Sequence, residues 1–388
     1  MKEFIKSIME KEKEHVIFLR RELHKIAELS GEEYKTAEFI EEYLHSLGLE
    51  TRRSFVTGVV SYLDAGKDKT ILLRADMDAL PVTELHDTEY KSQTEGVMHA
   101  CGHDAHMAML LCAAKVLVEN CDKLNVNVLF VFQPKEETDG GAEPMIREGI
   151  LEGKNVVEAI GFHVLNDISV GEILIKPGAF MASPDDFVIK IKGRGGHGST
   201  PEKCLDPIPT AASIVPRINA ITNGTIAEGE HQVVQICMFN AGTSYNVIPD
   251  FVEIKGTTRS FVDSVRLKLP ELMEKIIKEE CEKSGLTYEF KFNFQYPPLI
   301  NDKNVADKMK KAIEENTEIK IVTSEKPNMG GEDFAYFAKE VPANYSFIGT
   351  RNDEKGIIAP LHNSRFEIDE DALIIGVGAY ISHILGSF

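Results

Sequence analysis

The chain has 388 residues, and 43 lysines and arginines against 62 aspartates and glutamates give it a net charge of −19. A field of this sign repels phosphate backbones and anionic lipid headgroups, so neither nucleic acid nor a membrane surface is expected as a partner. Hydrophobic residues at 43% and charged residues at 27% exclude a disordered, collagen-like or coiled-coil chain. The length exceeds what one core usually serves and predicts two domains.

The cysteines and the N-terminus predict a cytoplasmic protein. Six cysteines are scattered along the chain without dense spacing, which argues against a disulfide framework and favours a reducing compartment. The N-terminal segment carries charges every few residues and has no apolar signal region. No later stretch approaches the roughly eighteen apolar residues of a membrane span.

The first half of the chain predicts a parallel sheet. Two amphipathic helices, at about 13–29 and 34–47, are followed by short apolar runs that alternate with helical patterns such as 107–119. The runs are SFVTGVVSYL, TILLRAD, NVNVLFVF and VVEAIGFHV. Because the second and third are apolar nearly throughout, they are typical of strands covered on both faces. We predict an α/β domain with a mainly parallel sheet.

The pattern changes near Pro177, where a smaller domain is predicted to begin. Its elements are the strand DFVIKIKG, a glycine-rich loop, a helix at 206–221, the strands HQVVQICMFN and FVEIKGTTRS, a helix at 264–284 and the strand TYEFKFNFQ. Helical patterns return after Leu299 and end with a helix at 369–385. We therefore predict an α+β domain at 179–295, inserted into a discontinuous larger domain of 1–178 and 296–388.

The stretch MHACGHDAH concentrates candidate metal ligands. A thiol, three imidazoles and a carboxylate fall within eight residues: Cys101, His99, His103, His106 and Asp104. Donors this close suit zinc or a similar transition metal. A helix N-terminus with Asp104 near its cap is the alternative, and this motif alone leaves both open.

Further candidates follow predicted strands, where a parallel sheet places its sites. They are Asp76 with Asp78, Glu136 with Glu137, and His163. Each alone is typical of a capping or solvated residue, but together at one edge they indicate a site. In the glutamate pair, one carboxylate can bind metal while the other takes a proton from water. His362, taken alone, indicates a structural or surface histidine.

The loop GRGGHG matches the G-x-G-x-x-G pattern of dinucleotide-binding proteins. That fingerprint requires a helix opening on its last glycine, whereas Pro201, Pro207 and Pro209 crowd the position of such a helix. We interpret the glycines as a tight loop that presents His197.

Seven motifs in order carry a family resemblance over nearly the whole chain: MHACGHDAH, FQPKEE, GFHV, GRGGHGSTP, NVIP, GGEDF and LHN. They resemble the two-metal aminoacylase and carboxypeptidase family of metallopeptidases. The closest resemblance is to its branch of N-acyl amino acid amidohydrolases, hippurate hydrolases and auxin-conjugate hydrolases. This implies metal-dependent hydrolysis of N-acetyl or N-aroyl amino acids to a carboxylate and a free amino acid. It also implies two divalent ions, of zinc, manganese, nickel or cobalt, and an inserted lid that forms a homodimer.

The resemblance assigns roles residue by residue. The implied metal ligands are Cys101, His103, Glu137, His163 and His362, with Cys101 standing where relatives outside this branch have a bridging aspartate. The implied catalytic residues are the general base Glu136, Asp78 near the metals, and His197, which in relatives reaches a partner subunit's active site. The implied substrate contacts are Asn246, Arg259, Gly330 and Gly331.

Two positions and several functions stay open on the sequence. Asp76 stands where other branches have a ligating histidine, and Lys135 stands where this branch usually has a small residue. The alternatives are a dipeptidase or aminopeptidase of the same family, a relative that binds metal or ligand without catalysis, and a nucleotide-dependent oxidoreductase. The sequence does not identify the acyl group or the amino acid.

Overall fold

The computed structural model describes residues 1–221, 226 and 231–386. The chain forms two compact units, a larger one of Met1–Gly178, Ile300–Lys326 and Asp333–Phe388 and a smaller one of Ala179–Leu299 and Pro327–Glu332. This division differs from the predicted boundaries at 296–299 and 327–332. The latter segment joins the smaller unit because Asn328 donates its amide to the Phe180 carbonyl at 2.8 Å and Gly330 accepts from the Ala182 amide at 3.0 Å.

The helices and strands follow in chain order, with α5 to α7 in the smaller unit. The helices are α1 (Lys2–Lys25), α2 (Tyr34–Ser46), α3 (His103–Glu119), α4 (Ala142–Arg147), α5 (Pro207–Asn219), α6 (Asp263–Arg266), α7 (Leu269–Ser284), α8 (Lys303–Asn316), α9 (Ala335–Glu340) and α10 (Asp371–Gly386). The strands are β1 (Thr51–Ser54), β2 (Gly58–Leu63), β3 (Thr70–Asp76), β4 (Asn127–Gln133), β5 (Val156–Ser169), β6 (Glu172–Leu174), β7 (Gly178–Met181), β8 (Asp186–Lys192), β9 (Gly196–His197), β10 (Gln232–Ala241), β11 (Val247–Ile248), β12 (Phe251–Ser260), β13 (Thr287–Asn293), β14 (Leu299–Asn301), β15 (Lys320–Val322) and β16 (Ala343–Arg351).

The larger unit is built on a mixed sheet of order β1-β2-β4-β3-β5-β16-β6-β15. Its centre, β4-β3-β5-β16, is parallel throughout, which confirms the predicted mainly parallel α/β fold. Every residue of β3 and β4 is buried, as expected for strands covered on both faces. Helices α3 and α10 are apolar and buried nearly all round, because they pack inside the unit rather than on its surface.

Three elements of the larger unit differ from expectation. SFVTGVVSYL lies in two antiparallel strands, since Phe55 and Val56 adopt positive φ angles of 46° and 69° and turn the chain between β1 and β2. Helix α1 starts at Lys2 and ends at Lys25, several residues before the predicted limits, and buries Ile5 with the later apolar positions. The strand β16 was not predicted. Its buried side chains include Asn344, which donates to the Ser346 hydroxyl at 2.8 Å, so the sequence lacks a continuous apolar run.

The smaller unit has an antiparallel sheet of order β10-β12-β8-β13 and the helices α5 and α7. Alternate residues of β8 are buried, because one face of this sheet covers a core. That core joins sheet residues such as Ile189 to helix residues such as Ile214 and Ile277. The single helix predicted at 264–284 is two helices, because Pro270 is tolerated only in a first turn.

No helix in the described part of the chain is long and apolar enough to cross a membrane.

Candidate metal centre and active site

Neighbouring parallel strands bring the candidate residues to one edge of the large sheet. Strand β3 ends at Asp76, shortly before Asp78, and β4 ends shortly before Glu136 and Glu137. Strand β5 carries His163. Since β4, β3 and β5 run parallel and adjacent, the aspartates and glutamates follow the carboxyl ends of β3 and β4, as predicted. His163 was predicted to end its strand, but β5 continues to Ser169; the pairing of Arg74 with Gly161 places His163 level with the end of β3.

The five residues implied as metal ligands fall into two overlapping groups. One contains Cys101, His103 and His163, and the other contains Cys101, Glu137 and His362, with the donor atoms of each group within 4.8 Å of one another. The Cys101 thiol lies 3.3 Å from His163 Nε2, and His362 Nε2 lies 3.2 Å from Glu137 Oε1. Only Cys101 belongs to both groups, which is the arrangement a shared ligand would need.

The donor set fits divalent cations. Sulfur, imidazole and carboxylate ligands suit zinc and its first-row neighbours. His103 Nε2 is fully buried and makes no hydrogen bond to any described residue, its nearest carboxylate oxygens being 3.8 and 3.9 Å away on Asp76 and Glu137. A nitrogen in this state is available to a metal ion.

The charge of the site also favours a cation. Burial alone would lower the pKa of His103, but Asp76, Asp78 and Glu137 outweigh it and raise that pKa to about 10. Burial, with the carboxylates of Glu137 and Glu136, holds the pKa of the Cys101 thiol well above its ordinary value. A bound divalent cation would reverse this preference and favour the thiolate.

Hydrogen bonds behind the donors orient them. The His163 ring donates from Nδ1 to the Val164 carbonyl at 2.6 Å, which turns Nε2 toward Cys101. Asp78 accepts the backbone amides of both Glu136 and Glu137 at 3.0 Å and lies 3.4 Å from His103 Nδ1. Such outer bonds fix the tautomer and direction of a ligand.

Asp76 lies between an arginine and a histidine. Its Oδ2 accepts from Arg74 at 2.7 Å and its Oδ1 from His106 Nδ1 at 2.6 Å. Burial would raise the pKa of Asp76, but His103, His106 and Arg74 hold it well below its usual range. The other His106 nitrogen accepts the Val164 amide at 2.9 Å, so both of its nitrogens are already bonded.

Two other members of the MHACGHDAH cluster lie outside the donor groups. Asp104 accepts from Arg20 and His24, each at 2.7 Å, and anchors α3 to α1. His99 is buried, with its ring 6.2 Å from that of His24, and burial lowers the pKa of His99 to about 3. In this cluster, Cys101 and His103 are therefore the donors available to a metal ion, whereas Asp104 and His106 form hydrogen bonds to neighbouring residues.

His106→Leu should weaken metal binding by about 10–100-fold, the usual cost of losing an outer partner of a ligand. The variant loses the acceptor of the Val164 amide, and Val164 in turn orients His163. Chelator competition measures the affinity. The matched control is His383→Leu, since His383 is equally buried and bonds to Glu158 at 3.0 Å. Equal affinities in the two variants would contradict the argument.

The smaller unit brings His197 and Asn246 together. His197, on β9, pairs in register with Val247 of β11, and Asn246 accepts the Gly198 amide at 2.9 Å through its carbonyl. His197 is exposed, and its Nδ1 accepts the Ser199 backbone amide at 3.1 Å. The hydrogen atom of the ring is therefore on Nε2.

Arg259 and the two glycines of the GGEDF motif lie in a second part of the smaller unit. Arg259 donates from Nε to the Met329 carbonyl at 3.0 Å, next to Gly330. A side chain at Gly331 would come within 2.3 Å of Pro184, so glycine is required there. The family resemblance assigned Arg259, Gly330 and Gly331 to substrate contacts. In the structure, Arg259 is hydrogen-bonded to the backbone immediately before Gly330.

The GRGGHG loop is not a dinucleotide-binding turn. The helix that follows it, α5, begins at Pro207 rather than on Gly198, and the intervening residues include the short 3₁₀ turn Pro201–Lys203. No helix N-terminus is formed where the pyrophosphate would bind.

Comparison with known proteins gives one consistent family. Residues 72–385 match the model of peptidase family M20/M25/M40. The chain is 40% identical to "Thermostable carboxypeptidase 2" of Saccharolobus solfataricus over 97% of this chain and 96% of that protein. It is 42% identical to an N-acyl-L-amino acid amidohydrolase of Geobacillus stearothermophilus over 77% and 81% of the two chains.

A solved structure is similar over the whole fold. The YXEP protein of Bacillus subtilis, described as a dinuclear metal binding peptidase, superposes with a TM-score of 0.84 at 32% identity, covering 97% of this chain and 98% of that one. These similarities agree with the donor groups around Cys101. The chain belongs to peptidase family M20/M25/M40 and is a metal-dependent amidohydrolase.

Proposed function

We propose that this chain hydrolyses the amide bond of N-acyl amino acids, with N-acetyl or N-aroyl groups, and releases a carboxylate and a free amino acid. The observation that carries the proposal is the position of Glu136. Its carboxylate lies within 4.8 Å of donor atoms of both His103 and Glu137, although Glu136 belongs to neither group around Cys101. A carboxylate beside a ligand set is suited to act as a base.

The roles in the larger unit follow from this arrangement. The ligands of two divalent ions would be Cys101, His103, Glu137, His163 and His362. Such ions, when bound, polarise the acyl carbonyl and lower the pKa of water. Glu136 takes the proton of the attacking water and delivers it to the leaving amine. Asp78 holds the backbone of the glutamate pair in place through its two amide bonds.

The smaller unit would supply the substrate contacts. Arg259 donates from Nε to Met329 and from Nη1 to Thr257 and Thr258, so we assign its Nη2 to the carboxylate that the leaving amino acid carries. We assign Asn246, Gly330 and Gly331 to the same task, and His197 Nε2–H to the developing oxyanion. Loss of one oxyanion donor typically costs about a hundredfold to a thousandfold in turnover.

Metal identity and location are proposed on chemical grounds. Nitrogen, oxygen and sulfur donors admit zinc, manganese, nickel or cobalt. All six cysteines are free, which supports a reducing compartment and hence a cytoplasmic location.

We further propose a homodimer formed through the smaller unit. Strand β10 is the outer strand of its sheet, so one edge has no partner strand in the described part of the chain. Val233, Met238 and Phe239 expose apolar side chains on it. Pairing with a second copy would cover both the edge and these side chains.

If His197 acts on the partner's substrate, mixing two inactive chains should restore activity. A heterodimer of Glu136→Gln and His197→Ala has one site that combines a normal Glu136 with a normal His197. Two affinity tags isolate the heterodimer, and turnover is measured against each parent homodimer. Silence in purified heterodimers would mean that His197 acts within its own chain.

A second candidate is release of the C-terminal residue of longer peptides. It is favoured by the 40% identity to a carboxypeptidase. Both reactions release an amino acid with a free carboxylate, and they differ only in the group on the acyl side of the bond that is cleaved. A dipeptidase or aminopeptidase would instead need a free amino group, and a non-catalytic relative would turn over nothing.

One panel separates these functions. Chelated protein is reloaded with zinc, manganese, cobalt or nickel, and amine release is measured from N-acetyl and N-benzoyl amino acids, N-blocked peptides and free dipeptides. Metal-dependent release confined to blocked amino acids is expected. Release mainly from blocked peptides would favour the carboxypeptidase, and release only from free dipeptides would favour the dipeptidase.

A further inference from the structure

Glu33 connects three loops of the larger unit from a fully buried position. Its Oε1 accepts the amides of Gly31 at 2.8 Å and Lys135 at 3.1 Å, and its Oε2 accepts the Thr57 hydroxyl at 2.6 Å. The carboxylate thus joins the start of α2, the turn between β1 and β2, and the segment that precedes Glu136.

Lys135 has an unfavourable backbone conformation for its residue type. Its φ of 61° lies in the left-handed region, which penalises any residue with a Cβ atom. The lysine side chain points to other partners, with Nζ 3.2 Å from Asp139 and 5.6 Å from the centre of the Phe55 ring. The backbone of Lys135 is held on both sides, because its amide donates to Glu33 and its carbonyl accepts the Gly140 amide at 3.0 Å.

In this segment, three consecutive backbone amides donate hydrogen bonds to two buried carboxylates. The amide of Lys135 is bound by Glu33, and those of Glu136 and Glu137 are bound by Asp78. Glu33 fixes the chain at the residue next to Glu136, whereas the amide of Glu137 remains bound to Asp78, so loss of Glu33 acts on the direction of Glu136 rather than on that of Glu137.

We propose that Glu33 is a positioning residue for Glu136. By holding Lys135 in the left-handed conformation, it directs the Glu136 carboxylate toward the attacking water. The proposal rests on the function proposed above for Glu136. It requires the hydrogen bonds of Glu33 rather than its charge, because a glutamine can accept the same two amides and donate to Thr57.

The test compares Glu33→Leu, Glu33→Gln and Thr57→Val. Glu33→Leu should lower kcat on the order of 10–100-fold, as displacement of a catalytic group does, with KM and metal content unchanged. Glu33→Gln should recover most of kcat. Thr57→Val removes only the third bond, so it should lose thermal stability and keep kcat. Equal loss of kcat in Thr57→Val and Glu33→Leu would reduce Glu33 to a structural role.

A second substitution tests the conformational argument. Glycine adopts positive φ without penalty, so Lys135→Gly in the Glu33→Leu background should restore part of kcat. Lys135→Gly alone provides the reference. Absence of any recovery, or wild-type kcat in Glu33→Leu, would overturn the proposal.

Amide hydrogen exchange makes the test independent of turnover. In metal-free protein, the amides of residues 135–137 should exchange faster in Glu33→Leu than in the wild type or in Glu33→Gln. Unchanged exchange would overturn the proposal even in an active enzyme. If instead exchange changes as expected while the wild type hydrolyses no substrate of the panel, the proposed function has failed and the positioning of the segment stands.

Discussion

Glu136→Gln should lower kcat by about 10²–10⁴-fold, the usual contribution of a general base, while both metal ions remain bound. Its carboxylate is buried and lies beside His103 and Glu137 without belonging to either group around Cys101. Glutamine has nearly the same shape, and the backbone amide of residue 136 would still bond to Asp78. The substitution thus removes the base and little else.

The neighbouring glutamate provides the contrast. Glu137→Ala should lose metal, because Glu137 contributes a donor to the group with Cys101 and His362. Metal content per chain, measured by elemental mass spectrometry beside kcat, separates the two effects. Glu143→Gln, an exposed glutamate on α4, is the control for charge alone. Equal loss of metal in the Glu136 and Glu137 variants would show that the roles are assigned wrongly.

Cys101→Ala should remove both ions and reduce turnover to background. Cys101 is the only residue common to the two groups, whereas His163 and His362 each belong to one group around it. We therefore expect His163→Ala and His362→Ala each to keep one ion more firmly than the other, and Cys101→Ala to keep neither.

The measurement is metal stoichiometry after dialysis, with cobalt-loaded protein reporting sulfur ligation by its visible spectrum. Cys112→Ala is the matched control, because Cys112 is also a buried thiol but faces the core. Two ions retained by Cys101→Ala would exclude the cysteine as a shared ligand.

Much of the fold could be predicted because the apolar pattern is strong where strands are covered on both faces. TILLRAD and the NVLFVF run lie in β3 and β4 as expected. The pattern fails where buried polar groups bond to each other, as Asn344 and Ser346 do in β16. It also fails where the backbone alone turns the chain, as at Val56, because the hydrophobicity of a residue does not indicate whether its φ angle is positive.

The residues of the candidate site were likewise predicted only in part. Candidate residues could be predicted from the donors concentrated in MHACGHDAH and from the polar residues that follow predicted strands, whereas the ligand set, with His362, came from the family resemblance. Among the residues that support them, Asp78 was named by the resemblance but Arg74 was missed, although a charge inside an apolar strand is a signal, because buried charges need partners. Arg20 and Glu33 carried none, because Arg20 lies among the charges of a predicted surface helix and Glu33 follows another glutamate just before the next helix.

The pairing of β5 with β16 sets the order in which the chain can fold during synthesis. The core of the smaller unit is made from one continuous stretch, 187–286, and can close once that stretch has left the ribosome. Strand β5 must wait for Ala343–Arg351, near the end of the chain, before its open edge is covered. Until then a nascent chain carries an exposed apolar strand, and an unpaired strand edge of this kind makes a chain prone to aggregate.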